Sequence, residues 1–579
     1  MEWVHGPPGV YVAPVTLSTP SPTSPADLRD ATWEDLAPLY EALAKAPITG
    51  DGSAWLTEWS RLQEMVEEAA SVAMIEYTCD TTDPVREAAN LRWSSEIFPQ
   101  VVEQHVRLAQ RLVDGGFQPP GMEMVLREFR SDIAIFREAN VPLFTELEEH
   151  VAAYQKVAGG LSVEWDGQTL TVPQLQPFLK GPDRAVRERA FRAGAQAYLA
   201  QRETFAAQFD AMFALRQQIA RNAGFPDHMT WAFAAKHRFD YTPDDCARFH
   251  DAVAETVTPV VARLMEHRAK VLGVPTVRPW DTLVQLEARD PVRPFADVDG
   301  LVAPAQRIFD HLDPELGARF REMSDAGLLD LGSRPGKAPG GYCTNLAWRK
   351  QPFIFMNAVG VPDDVNTLVH EAGHCFHDFA ANRLPWLWQR SAGHEAAELA
   401  SMSMELLVTP WLVQPTGYYT PEQARAVQIE QLEDLLTSLC HIASVDAFQR
   451  WIYTSGEGHD AAARDQAWLT IRGRYEAGVD WSGLEQERVA RWYRQLHIFE
   501  LPFYYIEYGI AQLGALQLWR DAQQDPAGTL RRYRAFQALG GTRPLPELYA
   551  AAGARLIFDR DGMAELVGLI ERRLDELRG

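Results

Sequence analysis

The chain has 579 residues, of which 46% are hydrophobic and 23% charged, with 17 Trp; this builds a sizeable core and excludes wholesale disorder. A formal net charge of -24 excludes a general nucleic-acid binder, which needs a clustered Lys/Arg surface. Five cysteines without a CxxC pair, no run of about 18 apolar residues, and an N-terminus (MEWVHGPPGVYVAP) without a basic start predict a soluble, cytoplasmic protein with reduced thiols and no membrane span.

Residues 1–30 are rich in Pro, Ser and Thr and read as an extended N-terminal arm. Residues 31–180 read as an N-terminal helical region. AWLTEWSRLQEMVEEAASVAMIEY and NLRWSSEIFPQVVEQHVRLAQRLVD repeat apolar residues every three or four positions. Near its end LSVEWDGQTLTVPQL alternates around Asp166-Gly167, the pattern of a small hairpin. Residues 181–579 read as a second helical region. It opens with helices that start near Pro182 and stop at Gly224. A glycine- and proline-rich stretch follows near 332–361, within which QPFIFMN is the best strand candidate. Gly340, Gly341 and Tyr342 just before it form either a mobile loop over a ligand or an ordinary bend.

The chemistry lies in His370-Glu371-Ala372-Gly373-His374, an H-E-x-x-H sequence in DDVNTLVHEAGHCFHDFAANRLP. Asp363 or Asp364 can cap a helix start here, and Pro385 bars its continuation. Histidines four apart lie one above the other on one helix face, so both imidazoles reach a single cation. Glu371, offset around the helix but close by, is a base able to take a proton from water. A catalytic zinc site needs a third protein ligand and an open position. Cys375 points about 100° away from His374, and His377 lies about 10 Å along the axis from His370, so neither fits well. The next helix, SAGHEAAELASMSMELLVTPWL, carries Glu395, Glu398 and Glu405 among small and apolar residues, where a carboxylate is costly unless paired or bound to a cation. Glu398, centred in AAELAS, is the best candidate. The His394-Glu395 step echoes the first motif without its second histidine.

With these residues in place, the chain resembles the thimet oligopeptidase and oligoendopeptidase F family of zinc metallopeptidases, most of all the oligoendopeptidase F branch. TLVHEAGHCFH, ELASMSME, QPFIFMN and HIFELPFYYIEYGIAQLGALQLW carry the resemblance, with weaker echoes at PDRAVRERAF and LGGTRPLPELYAAAG. It implies a mostly α fold, with two helical lobes flanking a deep substrate channel and a small β-sheet next to the metal helix. It also implies one Zn2+ per chain on His370, His374 and Glu398, and short unstructured peptides as substrates. By the same resemblance the strand of Phe353 and Phe355 pairs with the substrate backbone, and His497 with Tyr504, Tyr505 or Tyr508 steadies the oxyanion. Pro502-Phe503 stands where the thimet branch has glycines, which leaves open which tyrosine serves. His441, in LLTSLCHIAS, reads as a packed helix histidine. Rival readings are a zinc exopeptidase and a non-catalytic peptide-binding protein with a structural metal; the oligomeric state is not written in the sequence.

Overall fold

The computed structural model describes residues 22–286 and 292–579, so most of the expected arm lies outside the described residues. Of its remainder, Pro25–Leu28 forms one turn of 3-10 helix that buries Leu28. Helices dominate the rest. Five of them build the site or its supports: α1 (Ser53–Cys79), α2 (Pro362–Ala381), α3 (His394–Leu407), α4 (Pro421–Thr454) and α5 (Tyr505–Ala522).

The periodicity read in AWLTEWSRLQEMVEEAASV is used as expected: Trp55, Leu56, Trp59, Leu62, Met65, Val66 and Ala69 all face one core. That core gathers residues from Leu28 to Phe129 together with Trp386, while a second, larger one gathers residues from Tyr154 to Leu574. They are joined by ion pairs to two buried carboxylates. Glu64 and Glu68 of α1 are met by Arg390 at 2.8 Å and Arg349 at 2.6 Å, both from the segment around α2. The helices expected over 182–224 are Arg184–Leu199 and Arg202–Asn222.

Strands β1 (Ser162–Trp165) and β2 (Gln168–Thr171) form the expected hairpin, with Asp166 and Gly167 both at positive φ as its two-residue turn requires. The second sheet contains β3 (Leu329–Gly332), β4 (Tyr342–Leu346) and β5 (Gln351–Ala358) in the order β3-β5-β4. QPFIFMN is thus a strand, but it is the central one. β3 pairs with it in parallel, and β4 pairs antiparallel with Tyr342 opposite Phe355 and Thr344 opposite Phe353. Phe353 and Phe355 are 6% and 0% exposed. With both hydrogen-bonding edges taken, β5 has none left for a substrate, which corrects the expectation for these two residues. The free edge beside α2 belongs to β4.

α2 leaves β5 through a tight turn. The Asp364 carboxylate accepts the backbone N–H groups of Val359, Gly360 and Val361 at 2.8–2.9 Å, and Pro362 fills the first helical position. α3 runs enclosed between α2 and α5. Its close approach to α2 requires Gly373, where an added Cβ would stand 2.6 Å from Ser401 Cα and 2.9 Å from the Ala400 carbonyl.

Candidate metal centre

α2 presents His370 and His374 one turn apart with ring centroids 4.9 Å apart and planes at 82°. α3 delivers Glu398 across the Gly373 contact: its Oε2 lies 3.4 Å from His370 Nε2 and 3.9 Å from His374 Nε2. The three ligand atoms all lie within 4.8 Å of one another, the only such cluster of three metal-binding side chains among the described residues. Ligands at about 2.1 Å in a tetrahedron stand roughly 3.4 Å apart, so this donor set fits one zinc-sized cation. Its chemistry agrees, since two imidazoles and a carboxylate suit zinc.

The surrounding carboxylates divide the work. Glu405 Oε1 lies 2.7 Å from His370 Nδ1, which fixes the ring and turns Nε2 toward Glu398; Asn366 donates to the other Glu405 oxygen at 2.8 Å. Burial drives the His370 pKa down, but the bonds to Glu398 and Glu405 outweigh it and hold it well above the ordinary value, so a cation at Nε2 would compete with a proton. Glu398 is buried, yet His370, His374 and the Tyr504 hydroxyl hold its pKa down to about 2. Ser401 Oγ donates to Glu398 Oε2 at 3.1 Å and Tyr504 OH to Oε1 at 3.1 Å. Glu395 faces elsewhere, accepting from Tyr241 and lying 3.9 Å from the buried Arg238. His377 packs on Phe536, and burial pushes its pKa down to about 3. Cys375 turns its sulfur to Cys343, 3.3 Å away.

Glu371 is 8% exposed, and burial raises its pKa to about 7. The backbone N–H of Cys343, on the free edge of β4, bonds to its carboxylate. Of the loop residues, Tyr342 begins β4, stacks on Phe355 at 4.9 Å and bonds Thr78 of α1 at 2.6 Å. Asn357 donates to the carbonyls of Ala338 and Gly340, so the approach to Gly340 and Gly341 is tied down.

Around the start of α5, Tyr504 lies against Glu398 and its ring is 5.1 Å from that of Tyr508, while Tyr505 packs edge-on between His497 at 4.8 Å and His441 at 5.4 Å. The Pro502-Phe503 departure has a structural consequence. Phe503 adopts φ 65°, a conformation costly for a bulky side chain, and is 1% exposed. Its N–H donates to Gln449 Oε1 at 2.8 Å and its carbonyl accepts from Arg238, which clamps the backbone that aims Tyr504. Lys236 lies 5.0 Å from the Tyr504 ring centroid and 3.3 Å from Glu507. Sequence reasoning missed Gln449, Arg238, Lys236 and the Glu405 role, since each depends on contacts between distant segments. Only Glu405 left a trace, as a carboxylate on an apolar helix.

Three side chains able to hold one cation, two of them on an H-E-x-x-H helix, with a buried carboxylate and a free strand edge close by, are the parts a metallopeptidase needs. The sequence profile of peptidase family M3 matches residues 178–567, and that of the peptidase M3 N-terminal domain matches 28–123. The chain belongs to peptidase family M3, the metallo-oligopeptidases. It is 20% identical over 530 residues to an oligoendopeptidase F homolog of Borreliella burgdorferi, covering 85% of each chain. It is 22% identical over 423 residues to the oligopeptidase PepF of Bacillus subtilis, covering 69% of this chain and 58% of that one. The solved structure of PZ peptidase A with an inhibitor superposes with a TM-score of 0.86 at 27% identity, covering 95% of this chain and 97% of that one. No described helix is long and apolar enough to cross a membrane.

Proposed function

We propose that this peptidase is a zinc-dependent endopeptidase that hydrolyses internal bonds of short, unstructured peptides. The observation that carries this reading is the convergence of His370 Nε2, His374 Nε2 and Glu398 Oε2 on one point, with the Glu371 carboxylate alongside and the β4 edge beside it. One zinc per chain would be held by those three side chains. When bound, it supplies a Lewis acid that acidifies water and polarises a carbonyl.

The protein's own groups do the rest. Glu371 takes a proton from the attacking water and later hands it to the leaving amine; a pKa raised to about 7 by burial suits both tasks at neutral pH. The outer edge of β4 offers backbone groups to an extended peptide without reading its side chains, as an oligopeptidase of broad specificity needs. Tyr504, Tyr508 and His497 supply donors for the oxygen on which negative charge develops; the proximity of Tyr504 to Glu398 favours it over Tyr505.

An exopeptidase needs a free terminus, and an endopeptidase does not. Product mass spectrometry on a peptide acetylated at its N-terminus and amidated at its C-terminus decides between them. Internal cleavage is expected. Cleavage restricted to unblocked versions of the same peptide would replace this reading with the exopeptidase one, and no cleavage of either form would leave only peptide binding.

A further inference from the structure

His441, read from the sequence as a packing residue, stands in a chain of hydrogen bonds that ends on His497. Arg472 Nη1 lies 2.9 Å from His441 Nδ1, His441 Nε2 lies 3.0 Å from Gln495 Oε1, and Gln495 Nε2 lies 3.2 Å from His497 Nδ1. Four residues from three separate parts of the chain thus line up: His441 on α4, Arg472 on the helix Ala461–Tyr475, and Gln495 and His497 at the short helix Leu496–Glu500.

The direction of every bond follows from its first member. A guanidinium only donates. Arg472 also donates to Glu476 through Nε at 3.0 Å, so it is anchored, and its side chain is 5% exposed. His441 Nδ1 must therefore accept. Burial together with the charges of Arg472 and Arg491 pushes the His441 pKa down to about 3, so the ring is neutral and its one proton sits on Nε2. That proton goes to an acceptor, which assigns Oε1 of Gln495 to this side and its NH2 group to the other. The NH2 group donates to His497 Nδ1, and the Tyr505 hydroxyl meets the same amide. His497 is neutral too, its pKa lowered to about 4 by burial and by Lys236, so its proton is left on Nε2. No other assignment satisfies all three bonds at once. This is how a tautomer is assigned when hydrogens are not seen.

We propose that Gln495, oriented by His441 and Arg472, is a positioning residue that sets His497 as the tautomer protonated at Nε2, giving the site a ready N–H donor. The histidine alone would divide its proton between two nitrogens and rotate; the relay removes both freedoms. A donor preorganised in this way costs no rearrangement when charge develops on the substrate oxygen. The use made of the donor rests on the peptidase reading above. The tautomer itself does not.

The test uses the full-length protein labelled with 15N-histidine at pH 8. The His497 resonances are identified by their loss in His497→Gln. The expected spectrum has a protonated Nε2 and an unprotonated Nδ1. In Gln495→Glu the relay presents an acceptor where it had a donor, so the proton moves to Nδ1, and kcat on the blocked peptide falls on the order of 10²-fold while KM changes less than about threefold. A wild-type His497 protonated at Nδ1 overturns the proposal, as does a Gln495→Glu enzyme with Nδ1 protonated and an undiminished kcat. Should that variant not fold, the wild-type spectrum decides alone. Should the wild type cleave no peptide, the endopeptidase reading falls while the spectrum still reports the tautomer.

Discussion

His370 Nδ1 lies 2.7 Å from Glu405 Oε1, so the imidazole is gripped from behind while its other nitrogen faces Glu398. The carboxylate does not touch the cation position. It holds the ring in one orientation and raises its basicity toward a metal. Glu405→Ala should weaken zinc binding by about 10–100-fold with the fold intact, as read by competition with a chelating dye. Unchanged zinc affinity would remove Glu405 from this role.

Gly373 sets the spacing of the two helices that supply the ligands. A methyl group there meets Ser401 Cα at 2.6 Å, closer than real contacts allow, and backbone rather than a flexible side chain must move. Gly373→Ala should cost about 1–3 kcal/mol in denaturant unfolding and weaken zinc binding at the same time, because α2 and α3 are pushed apart. A variant as stable and as well loaded as the wild type would show that the helices separate freely.

The three tyrosines are not equivalent. Tyr504 donates to Glu398 at the metal position, whereas Tyr505 is wedged between two histidines. Tyr504→Phe should lower kcat by about 10²–10³-fold, the range for loss of one oxyanion donor. Tyr505→Phe should lose about tenfold or less, the worth of one neutral hydrogen bond. The reverse ranking in steady-state kinetics would reassign the donor.

As the proposed base, Glu371 would act only when ionised, and burial has raised its pKa to about 7. Below that value the carboxyl gains a proton and can no longer take one from water. The sign is therefore a loss on the acid side: kcat/KM should fall about tenfold per pH unit once the pH drops below the Glu371 pKa in the loaded enzyme. A profile flat from pH 7 to 5 would mean that another group, or none, limits the rate.

Much of the centre was legible in the sequence because its signals are local. The spacing of His370 and His374 speaks for itself on a helix, and Glu398 stands out as an acid in an apolar stretch. Elsewhere the deciding contacts join distant segments, and no local pattern carries them. QPFIFMN announces a buried strand, but nothing in one strand says whether its neighbours lie on one side or both, so the sequence points to an edge on β5 where the fold leaves one on β4. His441 on α4 and Gln495 are 54 positions apart and read as ordinary residues until Arg472 gives their contact a direction.

The proposed mechanism requires His370, His374 and Glu398 together to hold the zinc on which Glu371 acts. Bound zinc and blocked-peptide cleavage, measured side by side in the wild type, Glu398→Ala and Glu371→Gln, separate these roles. One zinc per chain is predicted for the wild type and for Glu371→Gln, with cleavage lost by orders of magnitude in the latter, and both zinc and cleavage lost in Glu398→Ala. A Glu398→Ala protein that keeps its zinc and its activity would contradict the account.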